Sequence, residues 1–503
     1  MKRYYILFVT ISLLLGSCTK SFLDVPVQGG ATTSSDPDLA RKLVTGAYNS
    51  LLQGDSWGSG DVHGFAFVSV TDIASDDADK GSTPDDQKVP VGDIDDFNTT
   101  ATNVFAETLW SGHYNAIGTV NQALLALSTA NIDNKTKAEL IGEVRFLRGY
   151  LYFNLVRMFG DVPLVMRVPK DQQDANNDPA FQTRANKQIV YDTIIADLKF
   201  AADNLPLKSA YAIGHANKGA AESMLAKVYM YQNDNYPQKW QKVYDLTQSV
   251  INSNQYSLVD SVNILWRQKG DNCVESIFEI ETGSYNNSNL GISNYTVSQG
   301  VRVGGMGGWN DLGWGFCNPS TDLINAYEAG DLRKNATIIM IDKSGTHKGT
   351  ILWDGFRVPS SDSVQNLYYN YKAYTSASNE VFANPDDKDR PKNIKILRYA
   401  DVLLMNAEAA YYTGNDMNTP FNQVRTRAGL PAATATLEAI WKERRVELAL
   451  EHDRFWDLVR QGRASQVMNA VGKHFVAGKN ELLPIPNSQI QLSGGKLTQN
   501  PGY

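Results

Sequence analysis

The stretch Val144-Arg-Phe-Leu-Arg-Gly-Tyr-Leu-Tyr-Phe-Asn-Leu-Val-Arg-Met-Phe-Gly160 decides the fold class. Val144, Leu147, Tyr150, Leu151, Leu155 and Met158 recur at three or four residues, which places them on one face of an α-helix. Gly160 supplies the stop, and Asp161-Val162-Pro163 leads the chain away extended. The pattern repeats outward from there. Residues 220–231 are rich in Ala, Leu and Met, break at the polar run 232–236, and are followed by a helical run over 240–251. Ala400, Leu403, Leu404, Ala407, Ala410 and Tyr411 make one stripe over 399–412, closed by Gly414. Residues 440–459 read as one further helix, with Trp441, Leu448 and Phe455 seven apart. Pairs in which an alanine-rich helix packs closely on a partner are the mark of tetratricopeptide-type repeats, which stack to bury a shared core.

Composition bounds the function. The 503 residues are 42% apolar and 20% charged, which excludes a disordered chain and an all-membrane one. With 47 basic against 54 acidic residues the net charge is −7, a surface that repels phosphate backbones, so no nucleic-acid partner is expected. Three cysteines exclude a disulfide-built scaffold. Cys273 and Cys317 read as free, buried small hydrophobes, with pairing in an oxidising envelope as the alternative. No Cys-x-x-Cys spacing occurs, so no zinc site is expected.

The N-terminus reads as an address. Lys2 and Arg3 precede an apolar run over 4–15, too short for a bilayer of roughly 30 Å. Leu15-Gly16-Ser17-Cys18 resembles a bacterial lipobox, making Cys18 the expected lipidation site and 1–17 a removed lipoprotein signal peptide. A plain signal peptide with an incidental cysteine is the alternative. Loss of Lys2 and Arg3 takes the net charge from −7 to −9. No second long apolar run follows, so membrane contact is expected through the lipid anchor only.

Long irregular stretches separate the helical parts, and such loops on a scaffold usually carry function. Residues 72–96 hold nine aspartates against Lys80 and Lys88, and read as a solvated acidic loop. Within it Asp77-x-Asp79 offers oxygen ligands suited to calcium, but Lys80 stands where an EF-hand needs a ligand. No cofactor is expected, calcium being the one candidate ion. Gly54-Asp-Ser-Trp-Gly58 matches the nucleophile pattern Gly-x-Ser-x-Gly but follows a helix rather than a strand, which disfavours it. Glu443, Glu447 and Glu451 share a helix face, as paired glycosidase carboxylates would need. Arg444, Arg445 and Arg454 lie among them, so a structural ion-pair network is the expectation.

Residues 300–315 contain seven glycines, enough to present Trp309 and Trp314 in unusual backbone conformations. Flat aromatic faces pack on the C–H faces of sugar rings, and amides and carboxylates bind hydroxyls. The candidate ligand-binding residues are Tyr285, Asn287, Tyr295, Trp309, Asp311 and Trp314, with Phe97 and Asn98 as an opposite wall. The competing reading is that these aromatics pin a long loop to the core.

Taken together, these residues resemble the SusD/RagB family of nutrient-binding lipoproteins. The likeness runs through Ser21-Phe-Leu-Asp24, Trp110-x3-Tyr114-x2-Ile117-x3-Asn121, Glu143-Val-Arg-Phe-Leu-Arg-Gly-Tyr150 and Phe159-Gly-Asp-Val-Pro-Leu164. It continues in Arg398-Tyr-Ala-Asp-Val-Leu-Leu404, Val424-Arg-Thr-Arg-Ala-Gly429, Glu443-Arg-Arg-Val-Glu447, Leu483-Pro-Ile-Pro486 and Gln499-Asn-Pro-Gly-Tyr503. The resemblance implies a mainly α fold: a tetratricopeptide-like helical repeat scaffold with an inserted irregular, loop-rich ligand-binding subdomain. It divides the mature chain into an N-terminal helical region, 18–260, and a C-terminal region, 261–503, with the loop-rich part at 281–395. It implies a lipid-anchored protein at the outer face of the outer membrane. That protein hands oligosaccharide to a SusC-like TonB-dependent transporter without catalysis. Thr19-Lys20-Ser21 departs from the acidic cluster often associated with surface export. The family's binding aromatics lie in variable loops, so the site residues above rest on their own chemistry. The alternatives are a peptide-capture protein of the same architecture (RagB-like), a glycoside hydrolase, and a purely structural scaffold.

Overall fold

The computed structural model describes residues 38–58, 60–233, 235–285, 288–290, 292, 294–302, 313–342, 349–358, 364–384 and 390–503. Cys18 lies outside them. The principal helices are α1 (Leu39–Asn49), α2 (Val104–Thr129), α3 (Asn134–Phe159), α4 (Lys187–Asn204), α5 (Lys218–Met230) and α6 (Lys239–Asn252). After the loop-rich segment come α7 (Tyr399–Thr413), α8 (Asn418–Arg427), α9 (Leu437–Glu447) and α10 (Arg454–Arg460). The fold is mainly α, as expected.

Local chemistry fixes the helix ends. Asp133 caps α3 by accepting from the Thr136 amide at 2.9 Å, and Asn103 caps α2 through the Phe105 amide at 2.9 Å. Gly160 and Gly414 end α3 and α7 with φ of 73° and 74°, as read from the sequence. Successive helices pack on one another: α2 on α3, α3 on α4, α4 on α5, α5 on α6, α6 on α7, and α7 on α8 and α9. One hydrophobic core runs through all of them. Helix α7 is covered all round as far as Ala410, so Val402, Met405 and Ala409 are as buried as the expected stripe, and Tyr411 alone of that stripe is exposed.

Strands occur as isolated antiparallel pairs: β1 (Ala78–Gly81) with β3 (Phe316–Pro319), β2 (Ser276–Ile280) with β6 (Ile394–Arg398), and β4 (Ile338–Met340) with β5 (Tyr368–Asn370). The β1–β3 register, Asp79 opposite Asn318 and Gly81 opposite Phe316, joins the aspartate-rich stretch to the glycine-rich loop. Among the described residues no helix is long and apolar enough to cross a membrane.

Two expectations fail. The single helix over 440–459 is two, α9 and α10, broken where Leu450 and His452 adopt φ of 61° and 72°. The break frees backbone carbonyls for buried cations. Lys372 Nζ donates to Glu447 O at 3.2 Å and Ala449 O at 2.8 Å, and Arg398 Nη2 donates to Glu447 O at 3.2 Å. The first part of the acidic stretch is also no solvated loop, although Asp85 and Asp96 farther on are exposed. Asp72, Asp76 and Asp77 are buried, and their partners come from the far end of the chain: His452, Arg454 and Arg445. Lys473 Nζ takes the Ile73, Ser75 and Ala78 carbonyls and pairs with Asp95 at 2.6 Å. With its Asp77 bound to Arg445, the Asp77-x-Asp79 segment is an internal suture. Among the described residues no cluster suited to a metal ion is found.

Candidate functional site

The site begins with a backbone constraint. Gly313 has φ of 137°, and a Cβ there would stand 2.1 Å from Val297 O. Gly315 has φ of 81°, and a Cβ there would stand 2.8 Å from Arg302 Cβ. Only glycine fits either position. Between them, the Trp314 amide donates to Val297 O at 2.7 Å, and Gly315 N donates to Gly300 O at 2.9 Å. The indole is thereby held half-buried against Trp57, with ring centres 5.9 Å apart at 60°, and against Phe65 at 6.1 Å.

Trp57 is the partner that sequence reasoning missed. It sits in the turn between Gly54–Asp55 and Gly60–Asp61, on Phe65 and Phe105, and is 43% exposed. Below it, Ser56 is fully buried and donates to Asp61 Oδ2 at 2.6 Å, while the Gly64 and Ala66 amides also bind that carboxyl. Burial pushes the Asp61 carboxyl up to about 6, against these hydrogen bonds. The Gly-x-Ser-x-Gly match is therefore a pinned turn that presents a tryptophan, and its serine faces no substrate. A tryptophan framed by glycines was the available signal in both segments.

A polar edge adjoins Trp314 at Gly315. Gly315 O accepts from the Ser82 amide at 2.6 Å. Arg302 reaches across to the Ser82 hydroxyl and the Asp86 carboxylate. Asn366 Nδ2 lies 3.5 Å from Ser82 O, and the Asn366 amide donates to Tyr369 Oη at 2.9 Å. Lys80 Nζ is turned into its own loop, donating to Gly81 O, Thr83 O and Asp86 O at 3.1, 2.8 and 2.9 Å. Half-exposed rings beside hydroxyl, amide, carboxylate and guanidinium groups suit a sugar ring and its hydroxyls.

Of the other candidates, Asn287, Trp309 and Asp311 lie outside the described residues. Tyr285 ends a hairpin strand, Gly283–Tyr285, and its side chain is outside the described set. Tyr295 is corrected: it is buried, and its hydroxyl faces His452 Nε2 at 3.5 Å, so it belongs to the core. Phe97 is corrected for the same reason. With φ of 58° its ring turns inward onto Phe475 and Phe455, 4.9 and 5.8 Å away. Asn98 is exposed, but with Phe97 buried in the core the pair forms no opposite wall.

The paired-glutamate reading resolves as a network. Arg333 bridges Glu443 and Glu447, while Arg398 bridges Glu275, Glu447 and Glu451, all deeply buried. Arg427 and Arg398 outweigh burial and hold the Glu447 carboxyl far below the usual range, so it has no proton to give. Cys273 and Cys317 are both free; Cys317 is buried, whereas Cys273 is half-buried.

Comparison with known proteins fits this architecture. Residues 274–503 match a family model described as the SusD family, and 64–230 match one described as starch-binding associating with outer membrane. The chain is 26% identical to a SusD-like protein of Formosa agariphila across 100% of both. It is 27% identical to a SusD-like protein of Bacteroides ovatus across 91% of this chain and 82% of that one. Its fold is similar to a structure described as a laminarin binding SusD-like protein, with TM-score 0.73 and 28% identity over 92% of this chain and 99% of that one. It is also similar to surface glycan-binding protein A from Bacteroides fluxus, with TM-score 0.76 and 25% identity over 94% and 100%. With two family models on its two halves and relatives aligned end to end, the chain belongs to the SusD/RagB family.

Proposed function

We propose that this protein is a surface lipoprotein of the outer membrane, anchored through Cys18. It binds oligosaccharide or polysaccharide on the Trp57–Trp314 platform and passes it to a SusC-like TonB-dependent transporter, without catalysis. The observation that carries the reading is Trp314 held half-buried between two positions open only to glycine, beside a Trp57 that is 43% exposed. A large aromatic surface kept in water is unusual unless something covers it. Laminarin and glycan binding in the named relatives support a carbohydrate as that cover. The neutralised glutamate network supports binding over hydrolysis. The tetratricopeptide-like stack of α2–α7 is the frame and the surface for the transporter.

The test is native affinity electrophoresis against a panel of polysaccharides. Retardation on at least one polymer, with no new reducing ends released, is the expected result. Well-folded protein that migrates unaltered through every gel overturns the reading.

A further inference from the structure

We propose that the platform selects uncharged glycans and excludes anionic ones, and that Asp86 sets this selectivity. The inference rests on the reading of Trp57 and Trp314 as the glycan surface, and names the class of glycan that surface accepts.

The argument starts from where positive charge is missing. Arg302 is the only basic residue between Lys269 and Arg333, a span that includes the whole glycine-rich loop. The segment that supplies Trp57 has no Lys or Arg from Leu43 to Asp79. It does contain Asp55. A sugar bearing carboxylates or sulfates thus approaches tryptophans whose own chain segments offer one cation.

That cation is already committed. The aliphatic stem of Arg302 packs against Gly315, one residue from Trp314, and its guanidinium binds Asp86 and the Ser82 hydroxyl. The two charged side chains are similarly exposed, at 23% and 28%, so their fields largely cancel at the surface. Lys80 is turned away, its ammonium held by three carbonyls of its own loop, with Asp86, Asp95 and Asp85 acting on its charge. Asp85, beside Asp86, is a further carboxylate. An anionic ligand would have to displace Asp86 from Arg302 and still meet Asp85, all within the ~10 Å over which charge acts at 0.1 M salt. A neutral sugar needs only the ring faces and the side-chain amide of the half-buried Asn366. Repulsion of the wrong ligand, rather than extra attraction to the right one, supplies the discrimination.

The experiment uses the folded wild-type chain and Asp86→Asn. Neutral polymers (laminarin, starch, galactomannan) and anionic ones (polygalacturonate, alginate, chondroitin sulfate) are compared in affinity gels and calorimetry at low and high salt. Wild type should bind at least one neutral polymer at least about tenfold more tightly than any of the anionic ones. Asp86→Asn, which releases Arg302, should bind an anionic polymer about two- to fivefold more tightly than wild type, with the gain lost in high salt. If that variant does not fold, the wild-type panel still decides. Wild type that binds an anionic polymer as tightly as its best neutral one overturns the inference and leaves glycan binding standing. Wild type that binds nothing removes the glycan-binding reading itself.

Discussion

Arg454 lies flat against Asp76, with Nε to Oδ1 and Nη2 to Oδ2 both at 2.7 Å, joining residues 378 apart in the chain. Burial pushes the Asp76 carboxyl up, but Arg454 and Arg445 outweigh it and hold the carboxyl below its ordinary value near 3.8. This pair, with Arg445 on Asp77, fastens the aspartate-rich segment beneath the binding loops onto the helical frame. Asp76→Asn leaves two buried guanidiniums short of a partner, and should destabilise the protein by about 3–5 kcal/mol. The midpoint of denaturant unfolding measures it. Because the carboxyl is depressed, its stabilisation is complete above pH ~4 and fades as pH falls through the folded value.

Four histidines should titrate in two opposite groups. Burial holds His63 and His113 neutral, His63 well below 6.5 and His113 down at about 4. Their contribution is complete above pH 6.5 and is lost as pH falls, at most ~1.4 kcal/mol per pH unit for each. His215 is raised, chiefly by its hydrogen bond to Glu143 at 2.6 Å. Burial lowers His452, but Asp72 at 2.7 Å outweighs that and raises it. Those two stabilise fully below 6.5, and their support is lost as pH rises through the raised values. Ring-proton NMR titration should show His63 and His113 silent from pH 6 to 8 while His215 and His452 move above 6.5. The reverse grouping would contradict the packing described.

Gly313→Ala and Gly315→Ala should each cost about 1–3 kcal/mol of local strain, because the alanine Cβ meets Val297 O or Arg302 in a left-handed backbone. The strain falls on the loop that presents Trp314. Glycan affinity should therefore drop while the global melting temperature shifts little. Unchanged affinity in both variants would show that the presentation of Trp314 is irrelevant to binding.

Cys317 is enclosed and Cys273 half-buried, both as free thiols. In the folded mature protein a thiol reagent should modify Cys273, and should reach Cys317 only after unfolding. Reductant should leave the melting temperature unchanged. A reductant-dependent fall would mean that the two are joined in solution.

The sequence carried the helices well because their signals are local. Gly160, Gly414 and the alternation of small and large residues in 399–412 all act within a turn or two. The break between α9 and α10 was invisible because Lys372 and Arg398, which claim its carbonyls, lie about fifty to eighty residues upstream. The aspartate stretch misled for the same reason: its counter-charges arrive from Arg445, Arg454 and Lys473. In the site, composition identified Trp314 as a presented aromatic but could not tell it from Tyr295, whose ring turns toward His452. Trp57 was legible in principle, since Gly54-Asp-Ser-Trp-Gly58 frames it as Gly313 and Gly315 frame Trp314. The same five residues also spell a nucleophile pattern, and that pattern points to the buried serine rather than to the tryptophan.

The central claim is that sugar lands on Trp57 and Trp314 while the helical frame stands inert. Calorimetric titration of the bound polysaccharide into wild type, Trp314→Ala and the Trp57→Ala, Trp314→Ala double variant tests it most directly. Loss of one stacked indole face of roughly 60–100 Å² corresponds to ~1.5–2.5 kcal/mol, so affinity should fall at least about tenfold in the single variant and further in the double. Melting temperatures should stay close to wild type, since both rings are partly exposed. A double variant that binds the polysaccharide as tightly as wild type would contradict the account.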